Sequence, residues 1–113
     1  MRFHSLVIIA LLFAHLFSAV AVVAITLWPD VNSGKVTKIA NFAINEHNKR
    51  SNANLTLVSI LSCSENVFAV DSSFSLELLA KDGKDTTNKY LAHVFEARFT
   101  TDRFQLKAFE LTP

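Results

Sequence analysis

The feature that most constrains this chain is a change of hydrophobic period between Arg50 and Leu55. Before it, Val36, Ile39, Ala40, Ala43 and His47 recur at i, i+3, i+4 and i+7, the spacing that gathers side chains on one face of a helix. After it, the apolar residues recur at every second position to the end of the chain, which is the pattern of half-buried strands. The spacing predicts one helix over Ser33 to Arg50. Ser33 serves as N-cap, Lys49 and Arg50 set positive charge at the C-terminal end of the dipole, and Ser51, Asn52 and Asn54 end the pattern. One helix must therefore cover one sheet.

The alternation divides into strands at turn signals. Ile25 to Val31 contains Trp28-Pro29, and the proline confines it to a short extended segment at a sheet edge. Leu55 to Ser62 is the next strand, with Ser64-Glu65-Asn66 as a polar hairpin tip. Val67 to Lys81 follows, placing Phe74, Leu76, Leu78 and Ala80 on the core side and Ser73, Ser75 and Glu77 on the wet side. Asp82-Gly83-Lys84-Asp85 is the strongest turn signal, its Asp-Gly step supplying backbone freedom. Tyr90 to Phe99 and Phe104 to Leu111 complete the set, separated by Thr100-Thr101-Asp102. Short connections throughout predict an antiparallel meander. The fold class is α+β, one long helix packed on a four- to five-stranded antiparallel sheet.

Residues 1–24 have the form of a secretory leader. Arg2 and His4 precede an apolar run from Leu6 to Phe17, and Ala19, Ala21 and Ala24 offer small-residue cleavage positions. The expectation is a secreted protein with one domain over residues 25–113, too small for a second core. A membrane contact is expected only if the leader stays uncleaved, since the apolar run extends through Ile25 and is nearly long enough to span. Asn54-Leu55-Thr56 is a glycosylation sequon, which fits secretion. Cys63 is the only cysteine, so no intrachain disulfide forms and stability rests on packing. A monomer is expected, with a dimer through Cys63 as the covalent alternative.

Several function classes are excluded. Net charge is +1 with no basic stripe, so no nucleic-acid partner is indicated. A lone cysteine and four scattered histidines match no metal spacing, two glycines build no phosphate loop, and no cofactor is expected. Cys63 paired with His4, His15, His47 or His93 would be the only nucleophile and base, and two of these histidines lie in the leader. Glu46-His47-Asn48 is polar, but at the last turn of a helix it describes a solvated face. No enzyme is read here.

The segment Lys38-Ile39-Ala40-Asn41-Phe42-Ala43-Ile44-Asn45-Glu46-His47-Asn48 resembles the helix signature of plant cystatins, small inhibitors of papain-type cysteine proteases. The resemblance continues through Lys49 to Leu55 and returns at Ala80-Lys81-Asp82-Gly83. It implies one helix wrapped by an antiparallel sheet, and inhibition by three elements pushed into the protease cleft: an N-terminal glycine pair, a first-hairpin Gln-x-Val-x-Gly and a second-hairpin Pro-Trp. All three are altered here. Counting back from Lys81 places Val67, Ala69 and Asp71 at the Gln, Val and Gly positions, and a one-residue shift places Asn66, Phe68 and Val70 there. Thr26 and Leu27 stand before Trp28 in place of glycines, and Arg98-Phe99 replaces Pro-Trp. The resemblance therefore implies a protease-binding edge made of Thr26, Leu27 and Trp28, of Asn66 to Asp71, and of Arg98 and Phe99. Loss of glycine clearance and proline rigidity should weaken docking by about 2 kcal/mol or more. The alternative is a cystatin-fold interaction module that no longer inhibits.

Overall fold

The computed structural model describes residues 25–101 and 103–113. The leader at residues 1–24, and with it the reading of secretion and cleavage, lies outside the described residues. Strand β1 (Ile25–Leu27) leads into helix α1 (Gly34–Ser51), followed by β2 (Thr56–Val67), β3 (Asp71–Lys81), β4 (Thr87–Ala97) and β5 (Phe104–Leu111). The five strands form one antiparallel sheet in chain order, and α1 lies across one face of it.

The helix begins and ends for local reasons. The Ser33 hydroxyl accepts from the Val36 N–H at 3.3 Å, and Asn52 closes the C-terminus in the left-handed region at φ 51, its N–H donating to the Asn48 carbonyl. The Asn48 side chain then straps the exit, donating to the Leu55 carbonyl and accepting from the Leu55 N–H, both at 3.0 Å. Val36, Ile39, Ala40, Ala43 and Ile44 are buried against Phe74, Leu76, Leu78, Ala92, Val94 and Leu106. The alternating strands thus bury the residues the periodicity assigns to the core, and burial of this apolar surface is the main force holding helix to sheet. His47 is only half-buried and stacks on Phe109, ring centroids 4.1 Å apart.

β4 runs Thr87–Ala97 rather than Tyr90 to Phe99, which leaves Phe99 in the reversal, and two turns differ from the sequence reading. Ser64-Glu65-Asn66 is not a turn. β2 runs through it to Val67 because Glu65 and Asn66 are paired on both sides, with Leu27 and Thr26 of β1 and with Phe74 and Ser73 of β3. Tertiary pairing here overrides the local polarity. The reversal falls four residues later, at Phe68-Ala69-Val70, and β3 starts at Asp71. Register shifts between Leu57 and Ser59 and between Ile60 and Ser62 bulge β2, leaving Val58 and Leu61 exposed.

The second difference concerns the turn after β3. Its backbone freedom is used at Asp85, with φ 67, whereas Gly83 keeps a negative φ. Cys63, through which a covalent dimer was the alternative to the expected monomer, lies in the core. The side chain is 2 % exposed within the core, and burial, followed by the Glu65 carboxylate, pushes its pKa up to about 11. Burial and protonation both lower the reactivity of this thiol.

Candidate functional site

A meander returns the chain to the same end of the sheet at every second reversal. The register Ile25 with Val67, Asp71 with Ala97 and Glu96 with Phe104 places three elements there: the start of β1, the first tip at Phe68-Ala69-Val70, and the second tip between Arg98 and Arg103. The structure thus brings together the three segments singled out in the sequence. Ile25 is nearest the apex, and β1 runs away from it, so Trp28 lies several residues behind the tips. Thr26 is fixed to Asn66 by a side-chain hydrogen bond of 2.9 Å. Asn66, Val67 and Asp71 belong to the strands at the base, while Phe68, Ala69 and Val70 form the first tip itself.

The edge is apolar and exposed. Phe99 is 79 % and Val70 59 % accessible, with Phe68 and Ile25 exposed beside them. Side chains of this size normally leave water when a partner is present, and a contiguous exposed cluster is the signature of a contact surface.

Beneath this apolar edge lies a polar base. Glu96 is fully buried, its carboxylate held by Lys35 Nζ at 3.1 Å from the first turn of α1 and by Arg103 Nε at 2.7 Å from the far side of the second tip. Its strand neighbour Ser72 is also fully buried. The Ser72 hydroxyl accepts from Arg98 Nη1 at 2.7 Å. The same guanidinium donates to the carbonyls of Asp71 at 3.0 Å and Ala69 at 2.9 Å and to that of Phe68. The backbone adds the Arg98 N–H donating to the Val70 carbonyl at 3.3 Å and the Ala97 N–H donating to the Arg103 carbonyl at 2.8 Å.

Sequence reasoning treated Arg98 as a flexible charge standing where a rigid proline belongs. Its side chain is instead spent inside the protein, on the first tip. Glu96 was not singled out at all. Its position in an alternating strand marks it for the core, and a charged residue at such a position is the one signal that could have found it. Among the described residues, Cys63 and His93 are kept apart: Cys63 pairs with Leu76 on the core face, whereas His93 lies opposite Ser75 on the other face, where its Nδ1 is 3.0 Å from the Ser75 hydroxyl.

The chain is similar to known proteinase inhibitors. The model of a family described as aspartic acid proteinase inhibitor (SQAPI) matches residues 28–112. Cysteine proteinase inhibitor 3 of Arabidopsis thaliana is 42 % identical over 57 residues, which cover 50 % of this chain and 45 % of that protein. The chain thus spans less than half the length of that curated relative. The crystal structure of Al-CPI aligns with a TM-score of 0.56 at 21 % identity, covering 77 % of this chain and 98 % of that one, a likeness of fold. The cystatin resemblance read from α1 thus extends to the whole architecture. The family match runs from Trp28 to Thr112, taking in both tips as well as the scaffold, and the chain accordingly belongs to the aspartic acid proteinase inhibitor family, built on a cystatin-like fold.

Proposed function

We propose that this protein is a reversible, non-covalent proteinase inhibitor that inserts its apolar edge, formed by Ile25, the first tip and Phe99, into an active-site cleft. The observation that carries the proposal is the coincidence of large exposed side chains with two tips tied to one another at one end of a rigid sheet. Such an edge buries apolar area on docking while losing little backbone freedom. The leader and the exposed Asn54 sequon support a secreted glycoprotein, and the burial of Cys63 supports a monomer. Asn54 lies beside Gly83 at the opposite end of the sheet, so a glycan there leaves the edge clear.

Two target classes follow from the relatives. A papain-type cleft is the one the cystatin resemblance implies, but it asks for glycine clearance, and here the first tip carries Ala69 and Val70 instead. The bulkier tip and the family match favour a cleft of the aspartic class, which is our primary reading; papain-type inhibition is the second. Side-by-side titration of pepsin and papain with the folded domain tests this. Inhibition of pepsin, with papain inhibition weaker by about 2 kcal/mol or more than that of a variant whose Val67–Asp71 segment is replaced by Gln-Val-Val-Ala-Gly, is the expected outcome. Inhibition of neither enzyme would leave the chain a non-inhibitory interaction module.

A further inference from the structure

We infer that Arg98 is the positioning residue of the inhibitory edge: its guanidinium holds the first tip in its docking shape and makes the two tips one body. The inference rests on the inhibitor reading above for the word docking, and on the geometry alone for the rest.

Two independent observations lead to it. The first is what the first tip lacks. A tight hairpin reversal is ordinarily stabilised by residues at positive φ, supplied by glycine, asparagine or aspartate. Phe68-Ala69-Val70 contains none of these, and among the described residues only Asn52 and Asp85 have positive φ. The reversal is closed by the Phe68 N–H donating to the Asp71 carbonyl at 2.9 Å. The tip therefore draws no support from the local side chains that ordinarily brace a turn.

The second is where the missing partners come from. In a tight two-residue turn the Phe68 carbonyl would accept from the Asp71 N–H; here it accepts from Nη2 of Arg98. Nη2 also reaches Ala69, while Nη1 takes the Asp71 carbonyl and the buried Ser72 hydroxyl. Four acceptors spread over five consecutive residues match the planar fork of a guanidinium, whose donors point in fixed directions. A lysine ammonium is a point charge and cannot span the set. Proline and glycine limit the freedom of such a loop through its own backbone; Arg98 limits it through a side chain from the neighbouring reversal, 26 to 30 residues away.

The test uses the mature domain and three proteins: unmodified, Arg98→Ala and Arg98→Lys. Backbone relaxation and amide exchange report the tip. Arg98→Ala should drop the order parameters of Ala69 and Val70 from rigid values near 0.85 to about 0.6 or below. It should also speed exchange of the Phe68 amide about tenfold, with Leu76, Leu78 and Ala92 unchanged as a check on folding. Arg98→Lys should behave like the alanine variant, because it keeps the charge and loses the fork. Against the inhibited proteinase, association should slow about tenfold while dissociation changes little, since a loosened tip samples its docking shape less often but makes the same contacts once bound. An unchanged tip in Arg98→Ala, or full recovery by Arg98→Lys, overturns the inference. Faster dissociation with unchanged association would make Arg98 a direct contact and overturn the positioning role. If the unmodified protein inhibits no proteinase the functional reading fails, and the order parameters still decide whether Arg98 holds the tip.

Discussion

The two ends of the sheet solve the same problem, reversing a strand, by opposite means. At the Asp82 end everything is local. The Asp82 carboxylate accepts from the N–H groups of Lys84 at 2.8 Å and Thr86 at 3.0 Å, Asp85 takes the left-handed conformation, and Lys81 pairs with Asp85 at 2.9 Å. At the other end, Arg98 holds Phe68, Ala69 and Asp71, and Glu96 joins Arg103 to Lys35, 61 residues earlier. A turn made by its own residues spends those residues on the turn. A turn held from outside leaves its side chains free, and here the free ones are Phe68, Val70 and Phe99. The end that carries the proposed function is the one whose shape is supplied by the rest of the fold.

The largest expected effect comes from removing that outside support. Lys35→Met with Arg103→Met leaves the Glu96 carboxylate buried without a counter-charge, and should destabilise the domain by about 3–5 kcal/mol. Glu96→Gln should cost less, about 1–3 kcal/mol, because Lys35 and Arg103 are half-exposed, with side chains 50 % and 51 % accessible, and turn to water when the carboxylate is gone. Urea unfolding of both variants gives the comparison. The reverse order would show that the base of the edge is not organised around a buried anion.

A smaller effect, of about 1 kcal/mol, is expected from making the outer turn self-sufficient. Ala69→Asn with Val70→Gly supplies the turn-favouring residues that the tip lacks. In the Arg98→Ala background this pair should restore the order parameters at the tip. In the unmodified protein it should add little, because the two devices do the same work and their effects are not additive. Additive gains would mean that Arg98 and the turn backbone act on different things.

This contrast also explains what the sequence disclosed. The helix, the core residues and Phe104 to Leu111 were legible because each depends on periodicity and caps within a few residues. The Asp82 turn was legible for the same reason, although its positive φ falls on Asp85 rather than on Gly83. Ser64-Glu65-Asn66 misled because their polarity is a local signal and their pairing with β1 and β3 is not. The three segments of the edge meet at one end because a meander returns there at every second reversal, a consequence of the short connections between strands. The roles of Arg98 and Glu96 stayed hidden because they exist only after β4 has been laid beside β3 and under α1.

The smallest effect concerns pH, and it separates the local turn from the helix exit. Hydrogen bonds from Thr86 and Lys84 hold the Asp82 carboxyl below its ordinary value of 3.8. A carboxyl whose pKa is lowered on folding contributes stability that is fully present above the unfolded value and is lost as pH falls through the folded one. The Asp82 window therefore opens only below pH 3.8. His47 is lowered from 6.5 by burial against Phe109, so the unfolded chain binds its proton first. Its contribution is complete above pH 6.5 and declines as pH falls from there toward the lowered folded value. Both windows tilt stability the same way, but they do not overlap at their upper ends. Thermal unfolding followed from pH 7 to pH 2 should show a shallow decline beginning near the histidine and a second one in acid. Asp82→Asn keeps an oxygen to accept the two N–H groups and loses the proton, so it should flatten the acid limb alone. His47→Phe keeps the ring against Phe109 and should flatten only the limb below 6.5. If Asp82→Asn leaves the acid limb unchanged, acid instability originates outside this turn and the local hydrogen bonds are not its cause.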